Sequence, residues 1–325
     1  MKKTLIALAA FAVVGTSFAQ VTLTGSAQVA SQKNRAGTQQ GLAMVDNTFV
    51  LTASDDTALG KMTAMFTVEN DTNRGAAFTR ADQSFVLANP SFVLAVANTR
   101  SGGNQGAALV APVSLADDQW TSTVINREAI DVARIVVPMS SAISLSYAYV
   151  EAKDGNVPVA AGIAAVAAGA SGGVLPGAVT HVLGGKYSAN GLTVAGQFNS
   201  SVFSDNLANS LALTNGGRLT RTTSTDLSVV YNAGFATVGF GYDSARRGKP
   251  DTDAAATLVG LSVPVTSAAS VGFNWGKRDA GSFTQVGAQY DISKRTNVNF
   301  SFGTDTQTNT SGSTDQYRLS MATSF

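Results

Sequence analysis

Residues 314–325, TDQYRLSMATSF, alternate between two kinds of side chain. Tyr317, Leu319, Met321 and the final Phe325 fall on one parity; Gln316, Arg318, Ser320, Ala322 and Ser324 fall on the other. Successive residues of a strand point to opposite faces, so this stretch reads as a strand with an apolar face and a polar one. It stops on an aromatic residue inside that pattern, which makes sense if the strand pairs on both sides.

The pattern recurs along the chain. VTLTGSAQVA (21–30) sets Val21, Leu23 and Val29 against Thr22, Thr24, Ser26 and Gln28. GKMTAMFTVEN (60–70) sets Met62, Phe66 and Val68 against Lys61, Thr63, Thr67 and Glu69. AISLSYAYV (142–150), GLTVAGQFN (191–199), TDLSVVYN (225–232), SVGFNWGKR (270–278) and TNVNFSFG (296–303) behave alike. Alternation of this length and frequency predicts an all-β protein. We expect sixteen strands.

The N-terminus constrains the compartment. Lys2 and Lys3 precede an apolar run, Leu5 to Val14, and then Ser17-Phe18-Ala19. A positive region, a short apolar region and a small-x-small site make a secretory signal peptide, expected to span 1–19 and leave a mature chain of 20–325. The run is too short to span a bilayer as a helix. The chain has no cysteine, so an exported form carries no disulfide framework. Removing Lys2 and Lys3 takes the 22 Lys and Arg to one fewer than the 21 Asp and Glu. Such neutrality argues against a nucleic-acid partner, which needs a basic face. Charged residues are 13% of the chain, about half the usual share of roughly 25%. Low charge, export and the lack of a long apolar run leave a secreted β-protein or a closed barrel in an outer membrane.

Two features favour the barrel. Short turn signals at Asn89-Pro90, Pro138-Met139-Ser140, Asn190-Gly191, Asn232-Ala233-Gly234, Thr266-Ser267-Ala268 and Ser293-Lys294-Arg295 alternate with longer stretches at 33–45, 71–78, 99–126, 151–180, 200–222, 243–253 and 304–313. Residues 279–281 are the one brief link among the longer stretches. Long connections on one rim and tight turns on the other are the outer-membrane pattern. Aromatic residues also recur on the apolar parity near strand ends: Tyr147, Tyr149, Tyr187, Phe198, Tyr231, Phe235, Phe240, Tyr242, Trp275, Tyr290 and Phe325. Amphipathic rings favour the headgroup level, so these predict two girdles. A closed barrel must pair its last strand with its first, which accounts for Phe325.

The segments MKKTLIALAA…FAQ, VTLTGSAQVA, DNTFVLTASDDTALGKMTAMFTVEN, ATVGFGYD, VGAQYDISKRTNVNFSFG and DQYRLSMATSF resemble, over nearly the whole chain, the general trimeric porins of Gram-negative outer membranes in their beta-proteobacterial branch. Thr24-Gly25 stands where that family usually has Tyr-Gly, and 99–126 lacks the Pro-Glu-Phe-Gly-Gly type of motif of the enteric members. The resemblance implies a homotrimer in a bilayer with lipopolysaccharide, a passive diffusion channel for ions and small hydrophilic solutes, and a third external loop folded into the barrel. It also implies that Phe325 is part of the assembly signal.

On that expectation residues 99–126 form the pore loop, and Asp117 and Asp118 bring negative charge opposite a basic wall. Fixed charges at a narrow neck filter ions. Alternation supplies the wall: Lys61 and Glu69 in the third strand, Arg80 and Asp82 in the fourth, then Lys186, Arg278 and Arg318. A lysine or arginine on the lipid face at mid-depth would be unfavourable by roughly 2–4 kcal/mol, so inward placement is expected. Arg80 is the favoured wall residue. Arg127, Glu128, Asp131 and Arg134 open the sixth strand, where a one-residue slip would invert the assignment. The basic run Arg246-Arg247-Gly248-Lys249 reads mainly as a solvated loop, and 157–177 as an apolar Gly/Ala-rich connection.

Catalysis finds little support in the sequence. His181 is the one histidine, it opens a strand, and no nucleophile motif accompanies it. Zinc clusters, phosphate loops and nicotinamide fingerprints are missing, so no cofactor or metal is expected. The competing readings are an adhesive or structural barrel with a plugged lumen, and a barrel enzyme dependent on His181.

Overall fold

The computed structural model describes residues 20–33, 40–70, 80–100, 107–113, 129–151, 178–203, 221–246, 254–278, 281–306 and 315–325. The alternating segments form sixteen strands: β1 (Gln20–Lys33), β2 (Gln40–Thr57), β3 (Gly60–Asn70), β4 (Arg80–Ala88), β5 (Val93–Arg100), β6 (Ala129–Pro138), β7 (Ile143–Glu151), β8 (Ala178–Ala189), β9 (Leu192–Phe203), β10 (Arg221–Asn232), β11 (Thr237–Arg246), β12 (Ala254–Pro264), β13 (Ala269–Arg278), β14 (Gly281–Asp291), β15 (Thr296–Asp305) and β16 (Asp315–Ser324). Each pairs antiparallel with its sequence neighbours, and β16 pairs with β1, so the sheet closes into a barrel. Closure leaves no edge, which a bilayer interior without water requires of any sheet.

Register separates the two faces. Phe273, Val286, Phe302 and Tyr317 are successive partners from β13 to β16 and lie exposed on the outer wall. One residue along, Asn274, Gln285, Gly303 and Gln316 form the corresponding row on the inner wall. The strand aromatics expected in the girdles are on the outer parity; Tyr290 and Phe235, the latter in the turn between β10 and β11, are the most open.

Seven tight turns lie on one rim, while the two-residue link 279–280 between β13 and β14 belongs to the other. The seven join β2 to β3 at 58–59, β4 to β5 at 89–92, β6 to β7 at 139–142, β8 to β9 at 190–191, β10 to β11 at 233–236, β12 to β13 at 265–268 and β14 to β15 at 292–295. Polar side chains cap them: Asn89 Oδ1 accepts from the amides of Ser91 and Phe92, and Ser293 Oγ accepts from those of Arg295 and Thr296. Such local bonds are why Asn and Ser punctuate turns. Asn190 and Gly191 both have positive φ, as a two-residue hairpin turn with the favoured twist demands.

One expected connection is shorter than the sequence suggested. Residues 33–45 read as a long loop, but β1 continues to Lys33 and β2 begins at Gln40. A bulge hides the pairing: Ser26 faces Thr48 while Gln28 faces Val45, so β2 spends an extra residue and the alternation breaks. The Gln28 amide donates to Asn47 Oδ1 at 3.2 Å inside this irregularity. The tight turn at 58–59, with no Pro or Asn-Gly signal, is likewise absent from the turns expected above.

Phe325 closes the seam. Its amide donates to the Gly25 carbonyl at 3.0 Å, and the Gly25 amide donates back to the Phe325 carbonyl at 3.1 Å. The ring covers Gly25 on the outer wall and meets Phe49 with centroids 5.8 Å apart. Inside the same seam Arg318 Nε donates to Gln32 Oε1 at 2.9 Å, and both side chains are buried.

Candidate functional site: the lumen and its third long connection

A closed sheet with a polar inner row encloses a lumen, and the question is what narrows it. Among the described residues, 107–113 of the third long connection lie against the inner wall of β11–β15. Ala108 and Leu109 pack on Leu258 and Phe283, two apolar side chains that point inward among polar neighbours. The Ala111 amide donates to Asn274 Oδ1 at 3.3 Å, and Asn299 Nδ2 donates to the Pro112 carbonyl at 2.9 Å. Ser301 Oγ donates to Asn299 Oδ1 at 2.7 Å, which turns the amide's donor side toward Pro112. The segment is itself kinked by two bonds between residues two apart, from Val110 to Ala108 and from Val113 to Ala111.

The wall across the lumen carries two exposed cations. In a ring of sixteen strands β6 stands opposite β14, and β8 opposite β16. Arg134 on β6 is exposed on the inner row, with Nη2 reaching Ser146 Oγ at 3.5 Å. Lys186 on β8 is also exposed on the inner wall, four residues nearer the tight-turn rim than Arg134's partner row, in register with Ser144 and Ala195. Arg134 stands four residues inside the tight-turn end of its strand, as Gly260 and Gly287 do in β12 and β14. The exposed guanidinium and the seated segment therefore occupy similar heights.

The other expected wall positions spread along the barrel. Lys61 pairs with Asp56 and Ala88 beside the tight-turn rim. Glu69 pairs with Arg80 near the opposite rim, and Asp82 pairs with Thr67 just below them. Eight residues separate Lys61 from Glu69, roughly 27 Å along an extended strand, so these candidates do not form one ring. Arg278 holds an inner-row position at the long-connection end of β13, paired with Ala256 and Gly281. Arg318 is on the inner wall but almost fully covered. Asp117, Asp118, the run 247–249 and the stretch 157–177 lie outside the described residues.

A second polar network lies on β9–β11. Asp226 and Asp243 are direct cross-strand partners on the inner wall, both buried. Asp226 Oδ2 accepts from Gln197 Nε2 at 2.8 Å and from Asn199 Nδ2 at 3.0 Å, and Asn199 Nδ2 also reaches Ser224 Oγ. His181 is on the outer wall instead, with Nδ1 2.8 Å from the Tyr147 hydroxyl and its ring edge-on to Tyr149. Among the described residues no three metal-ligating side chains gather.

Periodicity found the inner row but missed what sits on it. Phe283 and Leu258 carry no polar signal, and Asn274 and Asn299 look like any inner-row amide until the segment is placed on them. The available hint was the run of small inner positions in β13, Gly272 and Gly276 flanking Asn274, which leaves room for another chain segment.

Fold and lumen together define a transmembrane β-barrel channel with a polypeptide segment lying inside it. The family model for Gram-negative porins matches residues 4–310, and the chain belongs to that family. Solved structures agree on the fold at low identity. A loop-deletion mutant of OmpT, an outer membrane protein of Vibrio cholerae, aligns at TM-score 0.65 and 10% identity, covering 94% of this chain and 99% of that one. An anion-selective porin from Comamonas acidovorans aligns at TM-score 0.64 and 14% identity, covering 94% and 100%. A mutant of the Rh. blastica porin aligns at TM-score 0.60 and 12% identity, covering 94% and 100%. No curated protein sequence matches at a significant level. The protein is an outer-membrane porin.

Proposed function

We propose that this porin is a passive, mildly anion-preferring diffusion path for ions and small hydrophilic solutes, narrowed by the third long connection. The observation that carries this is the pairing of a neutral seated segment on β11–β15 with the exposed cations Arg134 and Lys186 on the facing half of the barrel. A fixed positive charge beside a neck raises local anion concentration. Of the described inner-wall acids, Asp226 and Asp243 are buried and offset the lumen potential less than exposed acids would, while Asp56 and Asp82 lie on other strands than the two cations. One of the structurally similar proteins is itself an anion-selective porin.

Glu69, Arg80 and Asp82 would act nearer the outer mouth as an entry filter, with Asp117 and Asp118 contributing from the loop. Lys61 and Arg278 stand at the two rims, and Arg318 serves the wall rather than the current. The working form is a homotrimer in a bilayer with lipopolysaccharide, after removal of residues 1–19. The channel performs no chemistry and needs no cofactor.

Single-channel recording in planar bilayers tests the reading. Stable ohmic steps are expected, with a reversal potential of anion sign in a salt gradient that moves toward zero in Arg134→Ala. A barrel with a plugged lumen would give no such steps.

A further inference from the structure

The seat of the 107–113 segment is built from glycine. Gly239 of β11 and Gly260 of β12 are direct cross-strand partners on the inner wall. A Cβ built on either one would fall well inside van der Waals contact with the same atom, the Ala108 carbonyl oxygen. Gly272 of β13 and Gly287 of β14 are likewise direct partners. A Cβ on Gly272 would lie 2.7 Å from Ala111 Cβ and 2.8 Å from Pro112 Cδ, and also 2.5 Å from the Leu261 carbonyl oxygen of the wall itself, and one on Gly287 would strike the Pro112 carbonyl. The wall therefore carries two notches, each made by a glycine pair; Ala108 drops into the first, and Ala111 and Pro112 into the second.

The spacing of the notches suits the segment. From the first pair to the second is two strand steps, roughly 10 Å. Ala108 to Pro112 is four residues, which span at most about 14 Å when extended. The two tight kinks at Ala108–Val110 and Ala111–Val113 take up the slack. Asn274 stands between the notches, in register with Gly260, and Asn299 lies beyond the second. Leu258 and Phe283 add an apolar anchor at Ala108 and Leu109, and the Phe283 ring covers Gly276.

We propose that these four glycines set the aperture of the channel: they let residues 107–113 of the third long connection lie one side-chain layer deeper in the wall than any other residue would allow. This rests on the channel reading above. Ordinary carbon contacts sit at about 3.5–4.0 Å, whereas a Cβ on Gly287 would lie 2.9 Å from the Pro112 carbonyl carbon and 3.0 Å from Val113 Cγ2, so a methyl there pushes the segment inward by roughly an ångström. Strands on the wall are held on both sides by the ladder, whereas the segment is held by its clamps, so the segment is what yields. The inner wall thus acts as a depth stop, and small-to-large changes at its glycines tune the pore without altering a single charge.

The test uses the full chain refolded in lipid, with single-channel conductance and the size limit for excluded polyethylene glycols as readouts. Gly260→Ala and Gly287→Ala are expected to lower conductance by tens of per cent and to lower the polymer size limit, since aperture governs passage. Gly185→Ala is the control: it lies on the outer parity, where a Cβ would sit 3.6 Å from Leu145 Cδ2, and it should match the parent. Parental conductance and size limit in both glycine variants, with gel migration showing a folded barrel, would overturn the proposal. A second measurement reads the segment's position rather than the current. The chain has no cysteine, so Ala111→Cys with Gly272→Cys introduces the one thiol pair. Their Cβ positions are within about an ångström of disulfide geometry. Loss of both thiols on mild oxidation supports the seat, and two thiols that stay titratable refute it. If the parent opens no steps, the channel reading fails while the thiol result still decides where the segment sits.

Discussion

Replacing Phe325 by alanine should weaken the barrel at its seam by about 2–3 kcal/mol, and the structure shows where that loss comes from. The ring is 49% exposed, so about half of it is covered by Gly25 and Phe49. A phenylalanine has roughly 150–250 Å² to hide, so about 100 Å² is involved. At about 25 cal/mol per Å² the seam contacts alone give up to ~2.5 kcal/mol, less the share an alanine keeps, and the lipid-facing half of the ring adds to the loss when the unfolded chain is in water. The tilted pairing with Phe49 adds about 0.5–1.5 kcal/mol. The two backbone bonds between Gly25 and Phe325 survive the substitution. The sharper check is a double-mutant cycle with Gly25→Ala. A Cβ at Gly25 would lie 2.6 Å from the ring's Cζ and 2.6 Å from the Thr48 carbonyl oxygen. The ring clash vanishes once the ring is gone; the carbonyl clash does not. Gly25→Ala should therefore be less harmful by about 1 kcal/mol in the Phe325→Ala background. Urea unfolding in lipid vesicles, followed through the two tryptophans, measures all four corners. Additivity within about 0.5 kcal/mol, or a single loss below that value, would show that the ring does not lean on Gly25 and that the seam is held by its ladder alone.

Arg134→Ala should shift the reversal potential toward cations with stability changed by less than about 1 kcal/mol, because the side chain is exposed and its one described hydrogen bond is long. Arg318→Ala should do the reverse: burial of the Gln32 acceptor that it satisfies predicts a loss of about 1–3 kcal/mol in urea unfolding, with selectivity unmoved. Asn299→Ala removes the clamp on the Pro112 carbonyl without adding bulk, so open-channel current noise should rise while mean conductance stays near the parent's. Asn199→Leu should destabilise by about 1–3 kcal/mol, since the Asp226 carboxylate loses one of its two described donors in a buried site.

The parts of the protein visible in the sequence are those governed by period. A half-lipid, half-water sheet must alternate, so strands, faces and the aromatic parity can be read residue by residue, and the placement of Lys186 and Arg318 on the inner row follows from that rule alone. Period fails at the bulge in β2, where one extra residue made a strand look like a loop. It also fails for height. Lys61, Glu69, Arg80 and Asp82 share a parity, yet parity says nothing of how far along the barrel each one lies, and register spreads them from rim to rim. Arg134 shows the complementary case: its parity was ambiguous from sequence, and pairing with Ala95 and Ala148 resolves it.

The lumen's shape is a different kind of information, because it depends on contacts between residues more than a hundred positions apart. Ala111 with Asn274, and Pro112 with Asn299, are joined by no local rule. What local chemistry does supply is permission. Glycine weakens a strand interior, since it packs nothing and loses more entropy on folding. Four of them placed as two facing pairs on one inner wall are therefore hard to account for by sheet stability, and easy to account for by the backbone that lies on them. The same logic applies to Phe283 and Leu258, which break the polar inner row where Ala108 and Leu109 arrive. Departures from the period are thus where this barrel stops being a generic wall and becomes a channel of a particular width.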